Sequence, residues 1–293
     1  MRYTNVNSEK TLKHSIMKTL KFSLVLLTII GMVTMFSSCK KENEEPVSDT
    51  EFSQNDAFAE GVFDNVTSIA DEAYEMSTNN LKEGYGNGVF LGPCATISLD
   101  TTVSPRELII DFGEENCLCN DGRYRRGKII VSFTGRYRVE GTVITTGFEN
   151  YYVNDNKVEG TKVVTNMGRN TNNHPYFLVD VTGVIHLHNN LGTLSWNAEK
   201  TRTWIEGYNT WRLWDDVYLI EGEADGIRPS GSTWERETVN PLRVELNCRW
   251  IVSGTVELRP EGRPVRVLDF GDGDCDNIAT VLINGITFTI FLP

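Results

Sequence analysis

From Val89 to its C-terminus the chain reads as strand and turn with no helical spacing between them, and this run constrains the fold more than any other feature. Ile129, Val131, Phe133, Tyr137 and Val139 alternate with polar neighbours, as a half-buried antiparallel strand requires. Val281 to Phe288 sets Asn284-Gly285 between two apolar runs, the strongest short-range signal for a hairpin. Further turn sequences stand at Asn154-Asp155-Asn156, Asn189-Asn190-Leu191-Gly192, Arg228-Pro229-Ser230-Gly231 and Arg259-Pro260-Glu261-Gly262. Strands joined this closely predict an all-β fold built as one large antiparallel meander.

One local pattern bears on its shape. Gly141, Gly160, Gly207, Gly222 and Gly254 each follow an aliphatic residue and a polar one. Glycine in or at the end of a strand permits bulges and bends, so the expected sheet is strongly curved, barrel-like or a sandwich. Ahead of it, Phe58, Val62, Val66, Ile69, Ala73 and Met76 recur at helical steps and predict one amphipathic helix over about 53–76. Ser53 or Asp56 is its candidate cap, and Asn79-Asn80 with the glycines at 84, 86 and 88 ends it. Such a helix is expected to pack on the sheet.

The cysteines carry a duplication. Cys94 opens a stretch leading to Asp111-Phe112-Gly113 and Cys117, and Cys248 opens one leading to Asp269-Phe270-Gly271 and Cys275. In both, Asp-Phe-Gly is followed by three residues and a cysteine, and a strand begins soon after. In an oxidising compartment the natural pairs are Cys94–Cys117 and Cys248–Cys275, each stapling a hairpin. Cys119 is left over, either as an alternative partner for Cys94 or as a free thiol. The spacing of Cys117 and Cys119, with one residue between, is not a usual zinc spacing.

The N-terminus carries an address. Lys18 and Lys21 precede an apolar stretch from Phe22 to Phe36, which is 15 residues long. That is short of the roughly 20 residues a transmembrane helix needs and suits a signal peptide spanning 1–38, with Met17 a second candidate start. Phe36-Ser37-Ser38-Cys39 resembles a bacterial lipobox, which implies a lipidated Cys39 as the first mature residue. Lys40-Lys41-Glu42-Asn43-Glu44-Glu45-Pro46 resembles the export signal of Bacteroidetes-type surface lipoproteins, and residues 39–51 read as the anchor and its acidic tether. The resemblance implies a lipid-anchored outer-membrane protein displayed at the cell surface, with a periplasm-facing anchor as the alternative. Residues 52–293 then form a single β-rich domain.

Charge excludes one class of partner. The chain has a net charge of −12, and the signal would remove five basic residues and one acidic residue. A nucleic-acid groove needs clustered Lys and Arg, so no nucleic acid is expected. Contact with the membrane is expected through the lipid anchor alone.

Motifs for chemistry are sparse. Asp272, Asp274 and Asp276 stand at the spacing that opens a calcium loop, a weak metal candidate, because Asn277 and Ile283 replace the Gly and Glu of a full EF-hand loop. His186 and His188 would share a strand face near His174, with no third ligand to assign. No HExxH, GxSxG or phosphate loop occurs, and no cofactor is expected. Trp196, Trp204, Trp211 and Trp214 crowd one segment and are the ligand-binding candidates; the competing assignment is core packing. Three functions follow as expectations. The first is a non-enzymatic, surface-anchored binding or structural module with a glycan or protein ligand. The second is a carrier of lipid or another hydrophobic ligand, its curved sheet capped by the helix. The third is a glycan-binding protein using its Trp-rich strands.

Overall fold

A computed structural model describes residues 50–78, 90–210 and 214–292 of the chain. The signal, the lipobox, Cys39 and the tether up to residue 49 lie outside the described residues, as does Trp211.

A helix, α1 (Glu51–Ser77), precedes fourteen strands. These are β1 (Thr96–Asp100), β2 (Arg106–Asp111), β3 (Cys117–Leu118), β4 (Tyr124–Phe133), β5 (Val143–Val153), β6 (Asn156–Arg169) and β7 (Pro175–Leu187). They continue with β8 (Gly192–Glu206), β9 (Val217–Ile227), β10 (Thr233–Glu245), β11 (Ile251–Pro260), β12 (Arg266–Asp272), β13 (Ile278–Ile283) and β14 (Ile286–Phe291). Apart from β3, which pairs only with β4, each strand lies beside its neighbour in sequence, and every pairing is antiparallel. The fold is the expected all-β meander, left open, with β1 and β14 as its two edges.

The turns form where the sequence placed them. Asn284 and Gly285 both take positive φ, at 50° and 80°, and set Ile283 opposite Ile286. Asn154 and Asp155 do the same at 47° and 63° between Val153 and Asn156. Gly254 shows how the sheet bends. Its φ is 111°, the register slips between Ser253 and Thr255, and a β-carbon there would lie 2.4 Å from the carbonyl oxygen of Pro241. Only glycine fits this bulge, and bulges increase local twist and bend the strand.

The bend wraps the sheet around α1. The helix touches β1 and β2 at one end of the strand order, β8 in the middle and β11 towards the other end. The sequence stripe predicted one buried helical face. Val62, Val66, Ile69 and Ala73 are buried as expected, while Phe58 and Met76 are half-buried. Burial also extends beyond that stripe to Phe52, Ser53, Asp56, Ala59, Glu60 and Phe63, because a curled sheet covers more of a helix than a flat one does. Ser53 and Asp56 are therefore not caps. The helix starts at Glu51 after Thr50, and no side chain caps it.

Both disulfides form, Cys94–Cys117 and Cys248–Cys275, with Cα atoms 5.6 and 5.7 Å apart. The two hairpins share their turn chemistry as well. Asp111 Oδ1 accepts the backbone N–H of Gly113 at 2.8 Å, and Asp269 Oδ1 that of Gly271 at 2.9 Å. Phe112 and Phe270 both point into the core. Cys119 is free and buried.

Candidate functional site

Charges are sorted across the interface between helix and sheet. α1 carries seven acidic residues and no Lys or Arg. The strands facing it supply the buried cations Arg125, Lys162, Lys200 and Arg236. Strand alternation points these four inward, in register with apolar neighbours such as Val158 and Val164 on β6.

The densest cluster lies along one line of α1, at Asp56, Glu60 and Asp64. These residues are spaced four apart and so share a helix face. The Glu60 carboxylate is held between Lys200 Nζ and Arg236 Nη1. Asp64 takes Lys200 at 3.0 Å and Lys162 at 3.6 Å. Asp56 accepts the indole N–H of Trp196 at 3.1 Å and of Trp234 at 3.4 Å, with Arg236 Nε 3.6 Å away. Lys162 Nζ also donates to the Phe63 carbonyl at 2.7 Å.

Burial and charge divide the pKa values. Burial alone would raise the Glu60 carboxyl, but Arg236 and Lys200 outweigh it and hold that carboxyl well below the usual range. Asp56 goes the other way, since burial outweighs Arg236 and pushes its carboxyl up. Burial pulls the Lys162 ammonium down to about 7, only partly offset by Asp64. Lys200 is also buried, but the attraction of Asp64 and Glu60 prevails and raises it.

A cross-strand row supports the cluster from below. Gly183, Trp196, Gly226 and Trp234 stand opposite one another on β7, β8, β9 and β10. The Phe63 ring stacks on Trp196 with centroids 5.7 Å apart, directly over Gly183. The Trp234 ring in turn lies over Gly226. Alternating glycine with tryptophan gives each large ring a gap to fill.

A second cluster, buried at Tyr137 and open to solvent at Arg138, joins Tyr137 Oη to Asp71 at 2.9 Å and Arg138 to Glu75 at 2.9 Å. Beside it Trp204 stacks on Tyr218, and the Arg202 guanidinium sits 3.6 Å from the Tyr218 ring centroid. At the far side of α1, Arg125 bonds Asn65 and Asp121 at 2.6 and 2.7 Å.

The solvent face of the sheet carries a different pattern. Asp180, Glu199, Glu223, Glu237 and Glu257 are direct cross-strand partners from β7 to β11, so five carboxylates form one row. Arg259 bonds Glu237 and Glu257 at 2.7 and 2.8 Å. A shallow groove of about 440 Å³ runs over this face and includes Thr182 and Asn197.

The residues singled out in the sequence fall as follows. Trp196 and Trp204 are buried, at 0% and 6% exposure, and their rings pack against α1 and Tyr218 rather than presenting a face to solvent. Trp214 is 40% exposed. Of the two assignments the sequence left open, Trp196 and Trp204 take core packing, since large aromatics in a curled sheet fill its interior. Asp272, Asp274 and Asp276 do not converge, and no group of three or more potential metal ligands gathers among the described residues. Asp276 Oδ1 instead accepts the backbone N–H of Ile278 at 2.9 Å. His186 pairs with Glu159 at 2.6 Å, while His188 lies past the end of β7 in a 3₁₀ turn beside Asn189. These two histidines therefore do not share a strand face.

The sequence reading missed Glu60, Lys162, Lys200 and Arg236, and it took Asp56 only for a candidate helix cap. A parity signal was present, because Lys162 and Lys200 fall on the inward positions of their strands. No protein-family model matches this chain, no curated protein is similar to it, and no solved structure matches it.

Proposed function

We propose that this protein is a non-enzymatic binding or structural module, held at the outer membrane by lipid on Cys39 and displayed outward, with a glycan or protein as its ligand. The observation that carries the reading is the Glu60 carboxylate fixed between Lys200 and Arg236. It pins α1 into the concave side of the sheet, so the convex face and the sheet edges are the surfaces left to meet a partner. The anchor rests on the Phe36-Ser37-Ser38-Cys39 resemblance and the Lys-acidic tether.

The carrier reading needs an apolar cavity. Among the described residues, a cavity beside Phe58, Trp250 and Leu292 measures about 120 Å³ and another beside Ile144, Val164 and Trp204 about 40 Å³, both below the roughly 300 Å³ at which ligand pockets begin. A lipid would have to displace α1 and break its buried ion pairs. The glycan reading draws support from Trp214 and the polar groove at Thr182 and Asn197.

Growth with a clickable palmitate analogue, followed by protease treatment of intact cells, tests the anchor and its direction. Label that disappears in Cys39→Ala, on a chain cut by external protease, is the expected result. An unlabelled wild-type chain would overturn the anchor, and a labelled chain protected in intact cells would turn it towards the periplasm.

A further inference from the structure

The two edges of the sheet differ. β1 ends in Asp100 and packs against α1. β14 pairs with β13 on one side, and among the described residues no strand pairs with its other side. Natural edges are blunted by Lys, Pro, bulges or a covering element. β14 contains no Lys or Pro, and its pairing with β13 runs without a bulge. No Asp, Glu, Lys or Arg occurs from Asn277 to the C-terminus, in a chain of net charge −12. Ile278, Leu282, Ile286 and Phe291 on β13 and β14 are exposed, Phe291 at 64%.

The edge is also self-complementary. Ile286-Thr287-Phe288-Thr289-Ile290 reads the same in both directions. Laid antiparallel on a second copy of itself about Phe288, it sets Phe288 against Phe288, Thr287 against Thr289 and Ile286 against Ile290. Aromatic, Thr–Thr and β-branched pairs of this kind favour strand pairing. A two-fold axis through Phe288 and normal to the sheet keeps Thr287 and Thr289 on the outer face in both copies, and such an isologous contact closes after two chains. Charge selects the same edge. Two acidic chains repel where their β7–β11 carboxylate rows approach, whereas β13 and β14 meet with no charge on either side.

We propose that β14 is a homodimer interface, in which a second copy of this chain adds its own β14 antiparallel about Phe288 and joins the two sheets edge to edge. Head-to-tail pairing with β1 would place Asp100 against an apolar strand and leave edges free to polymerise. The proposal does not depend on the lipid anchor or on any ligand.

Cysteine cross-linking of the full chain in detergent tests it. Directly opposed residues lie about 4.5–5.5 Å apart at Cα, within disulfide reach. Phe288→Cys is therefore expected to give covalent dimers under mild oxidation. Thr287→Cys and Thr289→Cys are each expected to give none alone but to cross-link when the two variants are mixed, with the chain lacking an introduced cysteine as the control. Thr289→Lys, on the exposed outer face, should leave the fold intact by circular dichroism and convert the dimer to monomer in sedimentation equilibrium. A wild-type chain that sediments as a monomer at every concentration would overturn the proposal. So would Thr287→Cys or Thr289→Cys cross-linking to itself as readily as to the other, or Ser98→Cys on β1 cross-linking to Phe288→Cys when those two variants are mixed.

Discussion

Gly183 lies beneath the ring of Phe63 so closely that a β-carbon on it would come within 2.1 Å of Phe63 Cζ. The absence of a side chain on β7 thus lets the α1 ring reach the sheet and stack on Trp196. Gly183→Ala is expected to destabilise the fold by about 1–3 kcal/mol, the usual cost of overpacking a full core. Urea unfolding measures it. An unchanged midpoint would mean that Phe63 has another place to go.

The ion pairs predict an asymmetric response to mutation. Glu60→Gln leaves Lys200 with Asp64 alone and Arg236 with only the more distant Asp56, and removal of one partner of a buried pair costs up to about 3–5 kcal/mol. Because the Glu60 pKa lies below its unfolded value, its contribution is present above the unfolded pKa of about 4.3 and is lost as pH falls through the folded value. Acid titration of wild type and Glu60→Gln should therefore converge towards low pH. Parallel curves would contradict the assignment.

Lys162 gives the opposite edge of the pH range. Its ammonium is held at about 7 in the fold, against roughly 10.4 in the unfolded chain. Between those values the unfolded chain binds more protons, so stability rises with pH. Wild type should gain stability from pH 7 to 9, and Lys162→Met should show a flatter rise. Equal slopes in paired urea titrations would sink this.

On the outer face, Glu223 stands directly between Glu199 and Glu237. Like charges set opposite one another are destabilising, so Glu223→Lys is expected to stabilise by about 0.2–1 kcal/mol per relieved pair, and less at high salt. A lower melting temperature at low salt would mean that the row is already neutralised.

Cys119 is buried, and burial pushes its thiol up despite Arg125 beside it. Alkylation of the native chain should leave Cys119 unmodified, and unfolding without reductant should expose it while Cys94–Cys117 and Cys248–Cys275 stay closed. Rapid native alkylation of Cys119 would show that this side of the core opens.

What the sequence made legible was local. The meander follows from period-two alternation and turn residues, and the helix from its apolar stripe. The disulfides follow from the repeated Asp-Phe-Gly spacing. The interior of the site was not legible in this way. Asp56 read only as a candidate cap, Glu60 and Asp64 carried no signal of their own, and the partners of this helix face lie about a hundred or more positions away. Which tryptophans are core and which face solvent was not legible either. Composition brings them into one segment, but strand parity and curvature decide which way each ring points.

The central claim is that α1, not a ligand, occupies the concave side of the sheet. A native mass spectrum of the full chain, followed by its denatured mass, tests it most directly. The account predicts one chain mass per subunit with two disulfides and no adduct beyond acylation of Cys39. A lipid that is retained in the native spectrum and released on denaturation would contradict it.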